Sequence, residues 1–342
     1  MVASTMKAAR VTSPGSRFEI VDVPIPEPAE HEVLVKVLAC GICHGDAAVK
    51  EGHWPGLNLP LTPGHEIIGT VERTGNRVIA WKAGERVGVG WHGGHCSVCD
   101  SCREGDFFLC DNAKITGITG HGGYAQYVIA PSNAVARAPE EIDPVFAAPI
   151  MCAGITSYNA LRHSGAKAGD IVAVHGIGGV GHMAVQYASK MGFRTVAVSR
   201  GQDKKSLAMQ LGANDYIDSD RVDAAAELNR MGGAKIIFAT APNSKAITSV
   251  LGGLGKNGKV VIPAASMEPI QVSPIFLISG RRSIVGWPAG DAKDSEDALN
   301  FSVHAGIKPM VETYSLDDAE EAYQSMISNK VRFRAVLEMS HG

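Results

Sequence analysis

The sequence predicts an α/β protein in two parts, a β-rich half and a doubly wound parallel sheet. Three observations carry that prediction: a length of 342 residues, a first half of short strands broken by Gly and Pro, and a change after Gly169 to alternating strands and helices. The length exceeds what one hydrophobic core usually serves, so two domains are expected. Hydrophobic residues make up 45%, charged residues 20%, and the formal net charge is -3, a balance that offers no footprint for nucleic acid or membrane. No apolar stretch approaches the ~20 residues that span a bilayer, and MVASTMKAARV lacks the apolar core of a secretory signal. A cytoplasmic protein is therefore expected.

From about Met6 to Ile150 the strands read one after another. In EVLVKVLA, residues 32–39, Val33, Val35 and Val37 fall on one face, as in a half-buried strand. IIGTVE, ERVGVG and YAQYVIA continue the pattern. Beyond Gly169 come IVAVH, a helix from Val180, TVAVS, a helix from Asp203, then KIIFA, KVVI and SIVG. Val180, Met183, Ala184, Tyr187, Ala188 and Met191 recur at helical spacing before Gly192, which marks them as core. After about Gly286 follow two helical stretches and the strand FRAVLEM, with Ser315 and Asp318 spaced as a capping box.

Gly176-Ile177-Gly178-Gly179-Val180-Gly181 follows the apolar run Ile171–Val174 and opens the first helix. There glycines permit a tight turn and backbone N–H groups meet a pyrophosphate, so a dinucleotide site is expected. An acid at the end of the next strand would bind the ribose hydroxyls of NAD. TVAVS ends instead at Ser199, followed by Arg200, Lys204 and Lys205, groups suited to the 2′-phosphate of NADP(H). The competing reading makes them solvated surface charges.

Of seven cysteines, four stand at positions 96, 99, 102 and 110. C-x2-C-x2-C-x7-C is a closed tetrahedral donor set, the pattern of a structural zinc; an iron–sulfur run would be spaced differently before its last cysteine. A second set is dispersed: Cys43 in CGICHGD, His65 and Glu66 in PGHE, and Cys152 in MCAG. Singly these are ordinary buried residues. Together, two Cys and one His leave a fourth position open, as a catalytic zinc requires, so two zinc ions per chain are expected. Cys40 is left over as packing.

Over essentially its whole length the chain resembles the medium-chain, zinc-containing alcohol dehydrogenases. The resemblance rests on Cys43-His44-x-Asp46, Gly64-His65-Glu66, the four-cysteine lobe, Cys152-Ala153-Gly154, the glycine fingerprint and Phe333-Arg334. It implies a GroES-like catalytic domain from residues 1–154 and 286–342, with the zinc lobe at about 92–112, and a Rossmann domain at 155–285. It further implies that Cys43, His65 and Cys152 hold a catalytic zinc, with Glu66 a neighbouring or exchanging ligand and Asp46 orienting His65. His44 and Arg334 would meet the cofactor pyrophosphate, and Thr156 would lie near the nicotinamide. The chain departs from the family at Gly45 and Ala48, where a hydroxyl and often a His relay the alcohol proton. The departure suggests a relay-free site with extra room beside the metal. The expected activity is hydride exchange between NADP(H) and a small-molecule alcohol/carbonyl pair, favouring carbonyl reduction, in a homo-oligomer (dimer or tetramer). The alternatives are reduction of an activated C=C or C=N bond and, more distantly, a zinc-binding module without activity.

Overall fold

The computed structural model describes residues 4–264 and 268–341 and divides the chain into two compact units. One comprises the chain up to Ile155 together with the stretch from Gly290; the other is Thr156–Ala289.

In chain order the first unit contains β1 (Thr5–Arg10), β2 (Glu19–Pro24), β3 (Glu32–Gly41), β4 (Ile67–Thr74), β5 (Arg86–Val89), β6 (His92–Gly94), β7 (Lys114–Ile115), β8 (Tyr127–Pro131) and β9 (Val135–Arg137). The second unit contributes β10 (Ile171–His175), β11 (Arg194–Ser199), β12 (Asp215–Asp218), β13 (Ala234–Ala239), β14 (Leu254–Ile262) and β15 (Ser283–Gly286). β16 (Val311–Ser315) and β17 (Arg334–Glu338) return to the first unit. Its main sheet runs β16-β17-β3-β4-β5-β9, with β8 also on β3. β3 is the long central strand, and Val33, Val35 and Val37 are fully buried as their alternation predicts. Around them Phe18 meets Tyr124 and Tyr323 edge to face, at 5.7 and 5.8 Å. Lys50 is seated among these rings, its Nζ 5.2 Å from the centroids of both Phe18 and Tyr323 and 3.4 Å from Glu320.

The second unit is one parallel sheet in the order β12-β11-β10-β13-β14-β15. From β10 the chain steps outward to β11 and β12, then crosses to β13 on the other side. The reversal leaves a crevice at the carboxyl ends of β10 and β13, where sheets of this class bind ligands. The helix Gly181–Lys190 packs on β10 and β11, with Met183, Ala184, Tyr187 and Ala188 fully buried as their spacing requires.

The sequence reading missed β12 and the helix Ala224–Arg230. Asp-Tyr-Ile-Asp is short, carries an acid at each end and lies at the sheet edge, so it lacks the apolar run of an inner strand. The helix does carry a start signal, Asp223, which accepts from the N–H groups of Ala225 and Ala226. The capping box expected at Ser315 does not form. Its hydroxyl donates directly to the Asp318 carboxylate at 2.6 Å, and a single 3₁₀ turn, Leu316–Asp318, precedes the helix Ala319–Ile327. The capping box is instead at Asp291 and Asp294, heading Ala292–Ala305. No helix among the described residues is long and apolar enough to cross a membrane.

Candidate catalytic centre and cofactor crevice

Strand pairing explains how Cys43 and His65 meet. β3 ends as antiparallel β4 begins, and the Gly41 N–H donates to the Glu66 carbonyl at 2.9 Å. Cys43 therefore leads a one-turn helix, His44–Asp46, directly beside the His65-Glu66 pair that precedes β4. Gly64 is required between them, with φ +102° and no space for a Cβ, which would stand 2.5 Å from the Tyr124 ring. Cys152 arrives from the 3₁₀ turn Ala148–Met151, and Arg334 opens β17, the other neighbour of β3.

Asp46 is the hub of this arrangement. Its Oδ1 faces His65 Nδ1 at 3.1 Å and the Gly64 N–H at 3.2 Å; its Oδ2 accepts from the Cys43 N–H at 2.8 Å and the Tyr124 hydroxyl at 2.7 Å. A carboxylate accepts only, so the neutral form of His65 carries its proton on Nδ1 and leaves the lone pair on Nε2. That Nε2 is buried without a hydrogen-bond partner, and so is Glu66 Oε2. One ligand atom from each of Cys43, His65, Glu66 and Cys152 lies within 4.8 Å of the others. The two sulfurs stand 3.7 Å apart. Two thiolates on one tetrahedral zinc, at Zn–S of about 2.3 Å, would stand about 3.8 Å apart. Donor identity, spacing and the two unpartnered atoms all fit a zinc ion.

Packed this closely, the donors compete with one another for protons. The Cys152 thiol hydrogen-bonds to Cys43 and holds the Cys43 thiol well below its ordinary range, while Cys152 is itself raised. Burial disfavours the imidazolium of His65, but Asp46 and Cys43 outweigh it and raise its pKa. Burial also pushes the Glu66 carboxyl up to about 7, against the pull of the Arg334 guanidinium. Arg334 is 4% exposed, hydrogen-bonded to Glu66 and to the Ile42 carbonyl at 3.1 Å. The structure thus places Arg334 inside this cluster, while His44 is exposed.

The expectation of free space at Gly45 is corrected. Trp91 packs edge to face on His65, with ring centroids 4.8 Å apart, and Trp54 packs on Trp91 at 6.2 Å. A Cβ at Gly45 would meet Trp91 Cζ3 at 2.9 Å and His65 Cε1 at 3.1 Å. The missing side chain makes room for an indole and leaves no hole. Gly45→Thr is accordingly expected to push Trp91 and His65 apart, costing ~1–3 kcal/mol of stability by overpacking and lowering kcat/KM about tenfold on small and bulky substrates alike. Adding Trp91→Leu should recover most of the loss. Equal activity of the single variant and the wild type would show that the indole yields freely. Sequence reading missed Trp91, Trp54 and Tyr124, which carry no motif and reach the site only through the fold.

The second cysteine set also converges, with the sulfurs of Cys96, Cys99, Cys102 and Cys110 within 4.8 Å of one another. The Cys99 N–H donates to Cys96 Sγ at 3.4 Å, and the N–H groups of Cys96 and Asn112 donate to Cys110 Sγ, each at 3.3 Å. Backbone N–H groups of Val98 and Cys99 lower the Cys96 thiol to about 6, whereas burial and the neighbouring thiols push Cys102 up to about 12. Four thiols so close ionise together only around a cation.

In the second unit the glycine fingerprint occupies the crevice. Gly176 has φ +98°, and its carbonyl and that of His175 accept from the Thr240 hydroxyl at 2.7 and 3.1 Å. A Cβ on Gly181 would stand 1.8 Å from the Gly176 oxygen, while Gly178 faces open space. The three glycines thus serve the turn, the helix–strand approach and access to a ligand. Gly179 and Val180 complete the loop, and the Val180 carbonyl accepts from the Ser157 hydroxyl at 3.3 Å. Thr156 is buried. Ser199 is buried at the end of β11, Arg200 is exposed, and Lys204 donates to the Ile177 carbonyl at 2.8 Å, tying its loop to the fingerprint.

Residues 29–140 match the family model of the alcohol dehydrogenase GroES-like domain, and residues 179–304 match that of zinc-binding dehydrogenases. The alcohol dehydrogenase notN of Aspergillus sp. (strain MF297-2) is 41% identical over 335 residues, 98% of each chain. The chain belongs to the zinc-containing medium-chain alcohol dehydrogenase family, oxidoreductases acting on alcohols. Its fold matches a crystal structure of CAD from Helicobacter pylori complexed with NADP(H), with TM-score 0.87 and 27% identity over 98% of both chains. An NAD-dependent alcohol dehydrogenase is equally similar in fold, with TM-score 0.90 and 26% identity over 98% of this chain and all of that one.

Proposed function

We propose that this chain is a zinc-dependent, NADP(H)-preferring alcohol dehydrogenase working chiefly as a carbonyl reductase. The observation that carries the proposal is the convergence of half-buried Cys43 and Cys152 on buried His65 and Glu66, with two donor atoms left unpartnered. These residues would hold a catalytic zinc, and Cys96, Cys99, Cys102 and Cys110 a structural one. When bound, the catalytic ion supplies Lewis-acid polarisation of the substrate oxygen, and the nicotinamide supplies the hydride.

The chain's own residues orient and insulate that chemistry. Asp46 fixes the tautomer and angle of His65. Tyr124 and two backbone N–H groups hold Asp46 in turn. Arg334 balances Glu66. Trp91 covers His65 and excludes water from that side. With glycine at 45 and alanine at 48, neither position offers a side-chain donor, so the substrate oxygen exchanges its proton with water. The same lack of donor also suits an activated C=C or C=N substrate, which needs no hydroxyl relay, and a panel of aldehydes, ketones, enals and iminium ions separates the two readings.

NADP(H) preference rests on Ser199 and Arg200 standing where an acid would select NAD(H). A kcat/KM with NADPH at least about tenfold that with NADH is expected, the worth of one charge-assisted hydrogen bond. Ser199→Asp should erase or invert the ratio by repelling the 2′-phosphate, and Arg200→Ala should weaken NADPH more than NADH. Equal use of both cofactors by the wild type would refute the preference.

A further inference from the structure

The turn carrying Ser199 and Arg200 is held by the neighbouring edge strand. Ser199 pairs in register with Asp218 of β12. Asp218 is 6% exposed, and its carboxylate accepts three hydrogen bonds: from the Gly201 N–H at 2.8 Å and the Asp220 N–H at 3.1 Å on Oδ1, and from Gln202 Nε2 at 2.8 Å on Oδ2. Tyr216, two residues earlier on β12, donates its hydroxyl to the Gly201 carbonyl at 2.7 Å. Both backbone groups of Gly201 are thus gripped while its φ is +70°. Arg200, one residue before this clasp, is exposed.

We propose that Asp218, assisted by Tyr216, is a positioning residue for cofactor selection: it shapes the turn that presents Ser199 and Arg200 to the adenosine 2′-phosphate. The proposal rests on the NADP(H) reading above. A carboxylate beside a phosphate site would ordinarily repel the ligand. Here three N–H donors occupy the Asp218 oxygens, so the charge is turned into the loop and fixes its shape. Arg200 gains from a fixed backbone because its planar fork binds phosphate only in a defined orientation. Asn at 218 would replace one accepting oxygen with an NH₂ group and remove the charge that strengthens all three bonds, loosening the grip on Gly201. The loss would fall on ligands carrying the 2′-phosphate, since an unphosphorylated ribose makes no demand on Arg200.

The test uses the full-length, zinc-loaded protein and four probes: NADPH, NADH, and the fragments 2′,5′-ADP and 5′-AMP. Dissociation constants are measured for the wild type, Asp218→Asn, Tyr216→Phe and Asp215→Asn. The last variant breaks the 2.9 Å Arg194–Asp215 pair at the opposite end of the same two strands, loosening their pairing without touching the turn. Asp218→Asn is expected to weaken NADPH and 2′,5′-ADP about tenfold while NADH and 5′-AMP move less than about twofold. kcat at saturating NADPH should stay unchanged, and Asp215→Asn should lower thermal stability while keeping the wild-type ratio. Tyr216→Phe should shift selectivity in the same direction, and it carries the test where Asp218→Asn fails to fold. A wild type that selects NADPH, with both variants keeping its ratio, would overturn the role of Asp218. A wild type without NADPH preference fails earlier, in the cofactor reading, and removes this proposal with it.

Discussion

Cys152→Ser is expected to reduce turnover by about a thousandfold or more while the protein stays folded, because Lewis-acid polarisation is worth several kcal/mol and each 1.4 kcal/mol is tenfold. Cys152 Sγ lies 3.7 Å from Cys43 Sγ in a four-donor cluster. A serine hydroxyl is a weak zinc ligand at neutral pH, so the cluster drops to one thiolate, one imidazole and a carboxylate already engaged by Arg334. Elemental analysis should find two zinc ions per wild-type chain and one in this variant. Cys99→Ser should also leave one zinc, but lower thermal stability before activity, since its site has four thiol donors and no open position. A fully active Cys152→Ser protein, or a wild type holding one zinc or fewer, would sink this reading of the two clusters.

The largest expected effect on stability lies away from the two cysteine clusters. Lys50 has a side chain 3% exposed, and its ion-pair partner Glu320 is 14% exposed. Glu320 also accepts from the Phe18 N–H at 2.9 Å and from Gln324 at 3.0 Å. Glu320→Ala would leave a buried ammonium between two aromatic rings, favourable contacts that do not replace an anion. A loss of about 3–5 kcal/mol is expected in chemical or thermal unfolding. Lys50→Met in the same background should return most of it, because an apolar side chain of similar shape removes the unpaired charge. Burial opposes ionisation of Glu320, yet the Phe18 N–H, Gln324 and Lys50 together hold its carboxyl below the ordinary range. Its stabilising contribution is therefore complete above the unfolded value of about 4.3 and is lost as pH falls through the lower folded value. Wild-type stability should decline on acidification through that window more steeply than that of Glu320→Ala. Parallel pH profiles, or a variant within 1 kcal/mol of the wild type, would count against the pair.

The two converging donor sets were legible in the sequence because thiols and imidazoles at such spacing have few other uses. Cys96, Cys99, Cys102 and Cys110 announce themselves locally, whereas Cys43, His65 and Cys152 became a set only by their number and kind and by resemblance. The parallel sheet was legible from β10, β11 and β13, whose apolar runs are long enough to read, and not from β12, whose Asp-Tyr-Ile-Asp pattern belongs to a half-covered edge. Gly45 shows a deeper limit. A missing side chain states that atoms are absent, while what fills the space depends on Trp91, brought there from the segment between β5 and β6. Asp218 and Tyr216 were silent for the same reason, since strand register alone sets them beside the turn at Gly201.

The placement of β17 bears on the order in which the protein can be made. Arg334 follows Glu66 by 268 residues, and its strand inserts between β16 and β3. As the chain leaves the ribosome, Thr156–Ala289 is contiguous and can fold while the first unit still waits for β16 and β17. Until β17 arrives, the Ala39–Gly41 end of β3, beyond the stretch paired with β8, is open to pairing with another chain, and Glu66 lacks the guanidinium that balances it. Completion of the candidate cluster thus waits for β17. A nascent chain would hold Cys43, His65 and Glu66 beside an unfinished sheet edge, the stage at which a chaperone has most to protect.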